Sequence, residues 1–191
     1  DVVFSVPSGN FGNLTAGLFA KFMGLPVNRF IAANNENDIV YNYLKSGKYE
    51  PRASVWSISY GMDVGARCNF ARMLELYNHS HLEISIDMVG YRYSDKEIRE
   101  TMKQVYAEEN YMLDPHGAVG YRALKADLKD GEVGVFLETA HPAKFTETVE
   151  SVLGKGTVVL PDKLAAFMKG EKLSIPLSTQ FVDFKQFLRN K

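Results

Sequence analysis

The sequence has few of the features that mark several classes of protein. Its 191 residues include one cysteine, Cys68, which excludes an internal disulfide. No apolar run approaches the length of a membrane span or follows a basic segment as in a secretory signal. The 22 Lys and Arg residues nearly balance the 23 Asp and Glu residues, so no surplus charge attracts nucleic acid or a membrane surface. We therefore expect a cytoplasmic protein with a small-molecule or protein partner, and no nucleic-acid or membrane partner.

The first residues have the composition of a buried strand. Asp1 is followed by VVFSV, a β-branched and aromatic run typical of a strand covered on both faces. Such a strand needs neighbours, and no initiator Met precedes it, so we expect a piece cut from a longer protein. With 46% hydrophobic residues the chain can bury a sizeable core, and we expect a single domain over residues 1–191.

Strand-like and helix-like segments alternate along the chain. The predicted strands are VVFSV (2–6), RFIAA (29–33), SVWSIS (54–59) and GEVGVFLETA (131–140). Helical patterns lie between and after them; in one, Ser94 and Glu97 have the spacing of a capping box, and two short amphipathic helices end the chain. Strands separated by helices need crossover connections, so the sequence predicts an α/β fold with a doubly wound parallel sheet.

The glycine-containing stretch VPSGNFGN (6–13) joins the first strand to the first helix. In open parallel sheets, ligands bind beyond the carboxyl ends of the strands. We expect Gly9 and Gly12 to adopt positive φ, so that backbone N–H groups converge at the positive end of the helix dipole. The loop has no Lys and lacks GxGxxG spacing, which favours a monophosphate held by amides. A plain turn capped by Asn10 or Asn13 explains the same spacing equally well.

Several motifs in series resemble those of one enzyme family. VPSGNFGNLTAGLFAKFMGLPV is similar to the phosphate-binding loop and helix of the threonine synthases, fold-type-II enzymes that use pyridoxal 5'-phosphate. The resemblance continues in the family's order through FIAANNENDIV, MDVGARCNF, DPHGAVGYRAL and TAHPAKF, and covers nearly the whole chain. It implies the large-domain, C-terminal portion of a lyase that converts O-phospho-L-homoserine and water to L-threonine and phosphate.

The resemblance also implies roles for individual residues. The cofactor phosphate is assigned to the loop residues Gly9, Asn10, Phe11, Gly12 and Asn13. Thr139, at the end of the last strand, matches the family's hydroxyl partner of the pyridine nitrogen, and helix capping is its alternative role. The family's Schiff-base lysine lies upstream of Asp1. We therefore expect no catalytic residue in this chain, and no activity without the missing N-terminal part of the same enzyme.

The sequence departs from the common family form in two places. Tyr60 and Gly61 stand where Asn and Ala are usual, and Arg67 and Cys68 stand where Pro and Ser are usual. These departures keep open a phospholyase-like relative that acts on a related phosphorylated amino acid. A non-catalytic assembly or interaction domain is the other alternative.

The histidines and the cysteine have simpler interpretations. His116 and His141 each lie beside a proline, where a capping role is commoner than acid–base catalysis. His79 and His81 have no carboxylate or cysteine at ligand spacing, which favours a solvated loop over a metal site. We expect no metal site, and we expect Cys68 to be a buried or half-buried small residue.

Overall fold

The structure is a computed structural model that describes residues 1–66 and 68–190. Their packing forms two compact units, residues 1–158 and a second unit that begins at Val159. The expectation of a single domain over residues 1–191 stays a prediction. No helix among the described residues combines the length and apolar character needed to cross a membrane.

The first unit is built on a parallel sheet. Among the described residues the sheet has four strands in the order β3-β2-β1-β4. The strands are β1 (Val2–Pro7), β2 (Arg29–Asn34), β3 (Met88–Arg92) and β4 (Val133–Phe136). In the register of the sheet, Ser5 of β1 lies between Ile31 of β2 and Phe136 of β4. From β1 the chain first adds β2 and β3 on one side and then adds β4 on the other side of β1. This reversal leaves a crevice at the carboxyl end of β1.

Helices cover both faces of this sheet. They are α1 (Gly12–Phe22), α2 (Ile39–Ser46), α3 (Cys68–Leu76), α4 (His81–Asp87), α5 (Asp95–Glu109), α6 (Pro115–Asp127) and α7 (Thr146–Leu153). Phe30 packs in the core with α1 to α4, whereas its neighbour Ile31 packs in the core with α5 to α7. Successive side chains of a strand point to opposite faces, so one strand serves two cores. The predicted α/β fold with a doubly wound parallel sheet is confirmed.

Helix boundaries follow the local signals closely. α5 begins with the predicted capping box, in which the Ser94 hydroxyl accepts from the Glu97 N–H and the Glu97 carboxylate accepts from the Ser94 N–H. The second unit contains α8 (Asp162–Met168) and α9 (Phe181–Arg189), the two short helices expected at the end of the chain. Caps and apolar periodicity act locally, which is why these boundaries can be read from the sequence.

The prediction of a strand at residues 54–59 is wrong. This segment has no strand, and the strand beside β2 is β3, Met88–Arg92, which the sequence analysis missed. SVWSIS has β-branched and aromatic residues, but its backbone is held by side chains instead of by a neighbouring strand. The Ser57 N–H donates to Asp63 Oδ2 at 2.8 Å, and the Val55 N–H donates to Asn37 Oδ1 at 2.8 Å.

Asp63 is the main acceptor of this polar network. Its Oδ1 accepts from Asn35 Nδ2 at 2.7 Å, from Asn37 Nδ2 at 2.8 Å and from the Ser57 hydroxyl at 2.7 Å. Asn35 and Ser57 are fully buried and Asn37 is nearly so, which makes each of these bonds costly to lose. The network therefore anchors residues 55–63 to the carboxyl end of β2.

We expect Asp63→Ala to lower the free energy of unfolding by about 3 kcal/mol, because it removes the hydrogen bonds that Asn35, Asn37 and Ser57 make to one carboxylate. Urea denaturation followed by circular dichroism measures the change. Asp130 is exposed, and Asp130→Ala is the control, with an expected change below about 0.5 kcal/mol. Equal losses in the two variants would contradict the role of the network.

Candidate functional site

A cavity of about 200 Å³ lies at the carboxyl end of β1. Its wall contains every residue that the sequence analysis assigned to the cofactor, namely Gly9, Asn10, Phe11, Gly12, Asn13 and Thr139. The wall is completed by Val6, Pro7, Gly61, Met62 and His116. Segments far apart in the sequence therefore meet at the crevice that the order of the strands creates.

Phe11 is the loop residue whose backbone adopts the left-handed conformation. The expectation that Gly9 and Gly12 adopt positive φ is wrong, because Phe11 has φ 61° and ψ 21° and neither glycine has a positive φ. Positive φ is unusual for a bulky residue and needs support from its surroundings. That support is the core with α1 to α4, in which the Phe11 ring is 2% exposed.

Glycine is required at position 9 because the backbone of another segment lies close to it. A Cβ built on it would lie 2.9 Å from the Gly61 carbonyl oxygen and 3.1 Å from Met62 Cα. Because these neighbours are backbone atoms, they cannot move aside as the end of a side chain can. Glycine at position 9 therefore allows the loop after β1 to approach the turn Tyr60–Met62 closely.

The first turn of α1 faces the cavity without a side-chain cap. Phe11 is the N-cap residue, and the first helical bond runs from the Thr15 N–H to the Phe11 carbonyl at 2.9 Å. The N–H groups of Gly12 and Asn13 precede this bond and need acceptors from outside the helix. No acidic residue lies in the first turn. These amides and the helix dipole suit an anion such as phosphate.

Asn10 braces the loop and does not cap the helix. Its Nδ2 donates to Cys68 Sγ at 2.9 Å, and its carbonyl accepts from Asn69 Nδ2 at 2.9 Å, so the start of α3 holds the loop. The alternative of a plain turn capped by Asn10 or Asn13 is not what α1 shows. Cys68 is exposed, so the expectation of a buried or half-buried cysteine is wrong.

The expectation that Thr139 ends the last strand is wrong, because Thr139 lies in the segment that follows β4. The strand ends at Phe136, and the Leu137 N–H still donates to the Ser5 carbonyl at 3.0 Å. Thr139 comes two residues later, is exposed, and borders the same cavity as the loop. The cap of the following 3₁₀ turn is His141, whose Nδ1 accepts from the Ala143 N–H at 3.1 Å. The Thr139 hydroxyl is therefore not the cap of that turn.

His116 is a cavity residue that the sequence analysis treated as a cap. It occupies the first turn of α6, where its N–H donates to Asp114 Oδ1 at 2.7 Å. Its ring is 6% exposed and packs on Phe145 with centroids 4.7 Å apart. Burial, and then the charge of Lys144, lowers the pKa of the imidazole, while Asp114 opposes them. The Asp-Pro helix start in DPHG was the available signal, since it places His116 at a helix N-terminus.

The departures at Tyr60 and Gly61 both concern this part of the wall. The Tyr60 hydroxyl donates to the Lys144 carbonyl at 3.2 Å, and its ring lies 4.8 Å from that of Phe145. A Cβ at Gly61 would lie 2.5 Å from His116 Cε1, so the absence of a side chain gives the histidine its position. Of the other pair, Arg67 lies outside the described residues.

The remaining two histidines lie away from the cavity. His81 begins α4 and does not lie in a loop as expected; its Nε2 is 3.0 Å from the Leu44 carbonyl. His79 lies beside Glu75, with Nε2 and Oε1 3.0 Å apart. In the part of the chain that the structure describes, no three His, Cys, Asp or Glu side chains are grouped as metal ligands would be.

Two buried carboxyl groups lie at the start of α6. Glu138 Oε1 accepts from the Asp114 N–H at 3.0 Å, while Glu138 Oε2 and Asp114 Oδ2 are buried without a partner among the described residues. Burial, together with the charge of Asp114, raises the pKa of the Glu138 carboxyl to about 8. A proton on Glu138 allows it to donate to Asp114 and so satisfies both oxygens.

We expect Glu138→Gln to become more stable relative to the wild type as pH rises. An unfolded glutamate loses its proton near pH 4.3, whereas the folded carboxyl keeps it until about pH 8, so wild-type stability falls between these values. The glutamine amide donates to Asp114 at every pH. Urea denaturation at several pH values measures the difference, with the exposed Glu109→Gln as control. Stability curves that stay parallel for Glu138→Gln and wild type would contradict the shared proton.

Comparisons with known proteins agree with this geometry. Residues 1–139 match a family model described as pyridoxal-phosphate dependent enzyme, and residues 117–188 match one described as threonine synthase, C-terminal. The threonine synthase of Serratia marcescens is 46% identical over 187 residues, which are 98% of this chain and 43% of that protein.

Solved structures give the same result. The crystal structure of threonine synthase from Escherichia coli superposes with a TM-score of 0.86 at 43% identity, covering 99% of this chain and 44% of that one. A PLP-bound threonine synthase from Brucella melitensis superposes with a TM-score of 0.85 at 30% identity, covering 99% of this chain and 46% of that one. The chain thus spans less than half the length of these relatives. Because a family model matches residues 1–139, more than half of its length, this chain belongs to the pyridoxal-phosphate dependent enzymes, and throughout its length it is similar to threonine synthases.

Proposed function

We propose that the complete protein containing this chain is a threonine synthase that converts O-phospho-L-homoserine and water to L-threonine and phosphate with pyridoxal 5'-phosphate. The observation that carries this proposal is the shared cavity. The loop of residues 9–13 and Thr139, which the family resemblance assigns to the two ends of the cofactor, border one space of about 200 Å³. The similarity to threonine synthases along almost the whole chain favours this reaction over that of a phospholyase relative. A cytoplasmic location stays a prediction from the sequence.

The residues present suit the phosphate group of this cofactor. The amides of Gly12 and Asn13 and the dipole of α1 attract an anion, and no acidic side chain lies in the first turn to oppose it. The close contact between Gly9 and Gly61 keeps the loop narrow and leaves its backbone open to the ligand. In this proposal Gly9, Asn10, Phe11, Gly12 and Asn13 hold the phosphate mainly through the backbone.

Thr139 would contact the ring nitrogen of the cofactor through its hydroxyl. When bound, pyridoxal phosphate withdraws electrons from the substrate carbons, which allows phosphate to leave at the γ-carbon and water to add at the β-carbon. A hydroxyl is uncharged and does not hold a proton on the ring nitrogen as a carboxylate does. Thr139 therefore orients the ring and leaves the nitrogen close to neutral.

The partner of this chain in the proposed enzyme is the N-terminal part of the same protein. The chain spans less than half the length of its relatives. The family resemblance implies that the covalent cofactor lysine lies upstream of Asp1. We propose that this upstream part supplies the lysine, closes the cofactor cavity and excludes water from it. O-phospho-L-homoserine is the proposed substrate.

The test is an assay of the complete protein with O-phospho-L-homoserine and pyridoxal phosphate. We expect threonine and phosphate to form in equal amounts. A keto acid in place of threonine would overturn the proposal in favour of a phospholyase, and no turnover would favour a non-catalytic assembly domain. The 191-residue chain by itself is the control, and we expect it to release phosphate no faster than free cofactor does.

We expect Thr139→Val to lower kcat/KM of the complete protein roughly tenfold, because a hydrogen bond of about 1.4 kcal/mol is lost in the transition state. Thr139 is exposed, so the free energy of unfolding should change by less than about 0.5 kcal/mol. Thr139→Ser keeps the hydroxyl and is the matched control, with most of the activity retained. Full activity in the valine variant would show that Thr139 has no part in holding the ring.

A further inference from the structure

His116 is the residue with an ionisable side chain in the described wall of the loop cavity. The other lining residues are glycine, asparagine, threonine and apolar residues, and none of these changes its charge with pH. The loop that would hold a phosphate therefore has backbone amides beside it and a single group able to become a full positive charge. That group is a histidine, which titrates near neutral pH.

One ring nitrogen of His116 is available for a ligand. Nδ1 lies 3.8 Å from Asp114 Oδ1, and the nearby backbone of Ser59 raises the pKa of the ring. Nε2 is buried and has no partner in the described part of the chain. It lies on the side of Gly61, whose missing Cβ would be 2.9 Å away, and Gly61 borders the same cavity. Buried polar atoms normally have partners, so an unpaired one at a cavity wall indicates a bound group.

Burial and several charged groups act on His116, and their net effect disfavours the protonated ring. Burial and Lys144 of the neighbouring 3₁₀ turn lower the pKa of the ring. Asp114 of its own helix and Asp63, which follows the turn Tyr60–Met62, raise it, and the net direction is downward. Glu138 faces Asp114 from the segment after β4 and accepts from the Asp114 N–H, and burial together with the charge of Asp114 raises the pKa of its carboxyl. These groups come from every segment packed against the ring.

We propose that His116 takes up a proton when a phosphate group binds at the loop of residues 9–13. The proton comes from solvent and resides on Nε2, so that a neutral side chain becomes a cationic contact for the anion. No covalent bond to the ligand forms. This inference rests on the proposed function, because it takes the loop as the phosphate site.

The size of the cavity makes this coupling strong. In a cavity of about 200 Å³, charges on the wall and on the ligand lie closer together than the Debye length of roughly 10 Å at moderate salt, so solvent ions hardly screen them from each other. The amides of the loop carry partial charges only, and a phosphate dianion gains from a full opposite charge close by. Protonation and binding then favour each other reciprocally.

The experiment is histidine NMR on the complete protein freed of cofactor. The histidine Cε1 carbons are labelled, and the His116 signal is assigned by its loss in His116→Gln. Its titration is followed without ligand, with inorganic phosphate, and with pyridoxal phosphate. We expect the midpoint to rise by about one pH unit with each phosphate ligand, which corresponds to roughly tenfold tighter binding by the protonated form.

Two further arms identify what the histidine responds to. Pyridoxal without phosphate should leave the midpoint of His116 unchanged, which separates the phosphate group from the ring. The exposed His79 is the control residue, and its titration should not move with any ligand. A response to pyridoxal as large as that to pyridoxal phosphate would overturn the inference.

Gly61→Ala is a second variant that tests the position of the His116 ring without removing the histidine. It keeps the histidine but places a Cβ where Cε1 now lies within 2.5 Å, so the ring must move. We expect Gly61→Ala to remain folded and the phosphate-dependent rise in the midpoint to fall at least severalfold. An unchanged rise would show that the position of the ring does not matter and would overturn the inference.

The outcomes separate this inference from the proposed function. If phosphate and pyridoxal phosphate bind while the His116 midpoint stays in place, the inference is wrong and the proposed function stands. If His116 responds but the complete protein makes no threonine from O-phospho-L-homoserine, the inference stands and the proposed function is wrong. If neither phosphate nor pyridoxal phosphate binds at any pH, both are wrong.

Discussion

The position of β1 between β2 and β4 is the constraint on which the cavity depends. Because the chain winds toward β3 on one side of β1 and returns on the other, the segments that leave β1 and β4 separate at their carboxyl ends. The loop that begins after Pro7 enters this opening from one strand, and Thr139 enters it from the other. If all the other strands lay on the same side of β1, the loop of residues 9–13 and Thr139 would not meet.

Close backbone approaches then make the opening narrow enough to act as a site. Gly9 allows the loop to lie against the turn Tyr60–Met62, and Gly61 in that turn allows the ring of His116 to lie against it. Asp63 anchors this turn, because its carboxylate accepts hydrogen bonds from Asn35 and Asn37, which follow β2. The shape of the cavity thus depends on two glycines and one partly buried carboxylate.

Prediction from the sequence succeeded where the signal was local. β1, β2 and β4 were found because apolar runs mark strands, and motifs of contiguous residues singled out the loop of residues 9–13 and Thr139, which border one cavity. The segment 54–59 has the composition of a strand, but a side-chain network takes its backbone bonds. His116 was missed as a cavity residue because its neighbours, Gly61 and Phe145, are brought to it only by the fold.

The two helix starts in this region differ in whether side chains of the protein accept from their first N–H groups. At α6 the chain supplies its own acceptors, since Asp114 accepts from the His116 N–H and Glu138 lies against Gly117, where a Cβ would be 1.8 Å from its Oε2. At α1 no side chain caps the helix and no acidic residue lies in the first turn. A helix N-terminus needs acceptors in either case. Carboxyl groups of the protein accept from N–H groups at the start of α6, whereas α1 has no side-chain cap, which supports the phosphate site proposed for the loop.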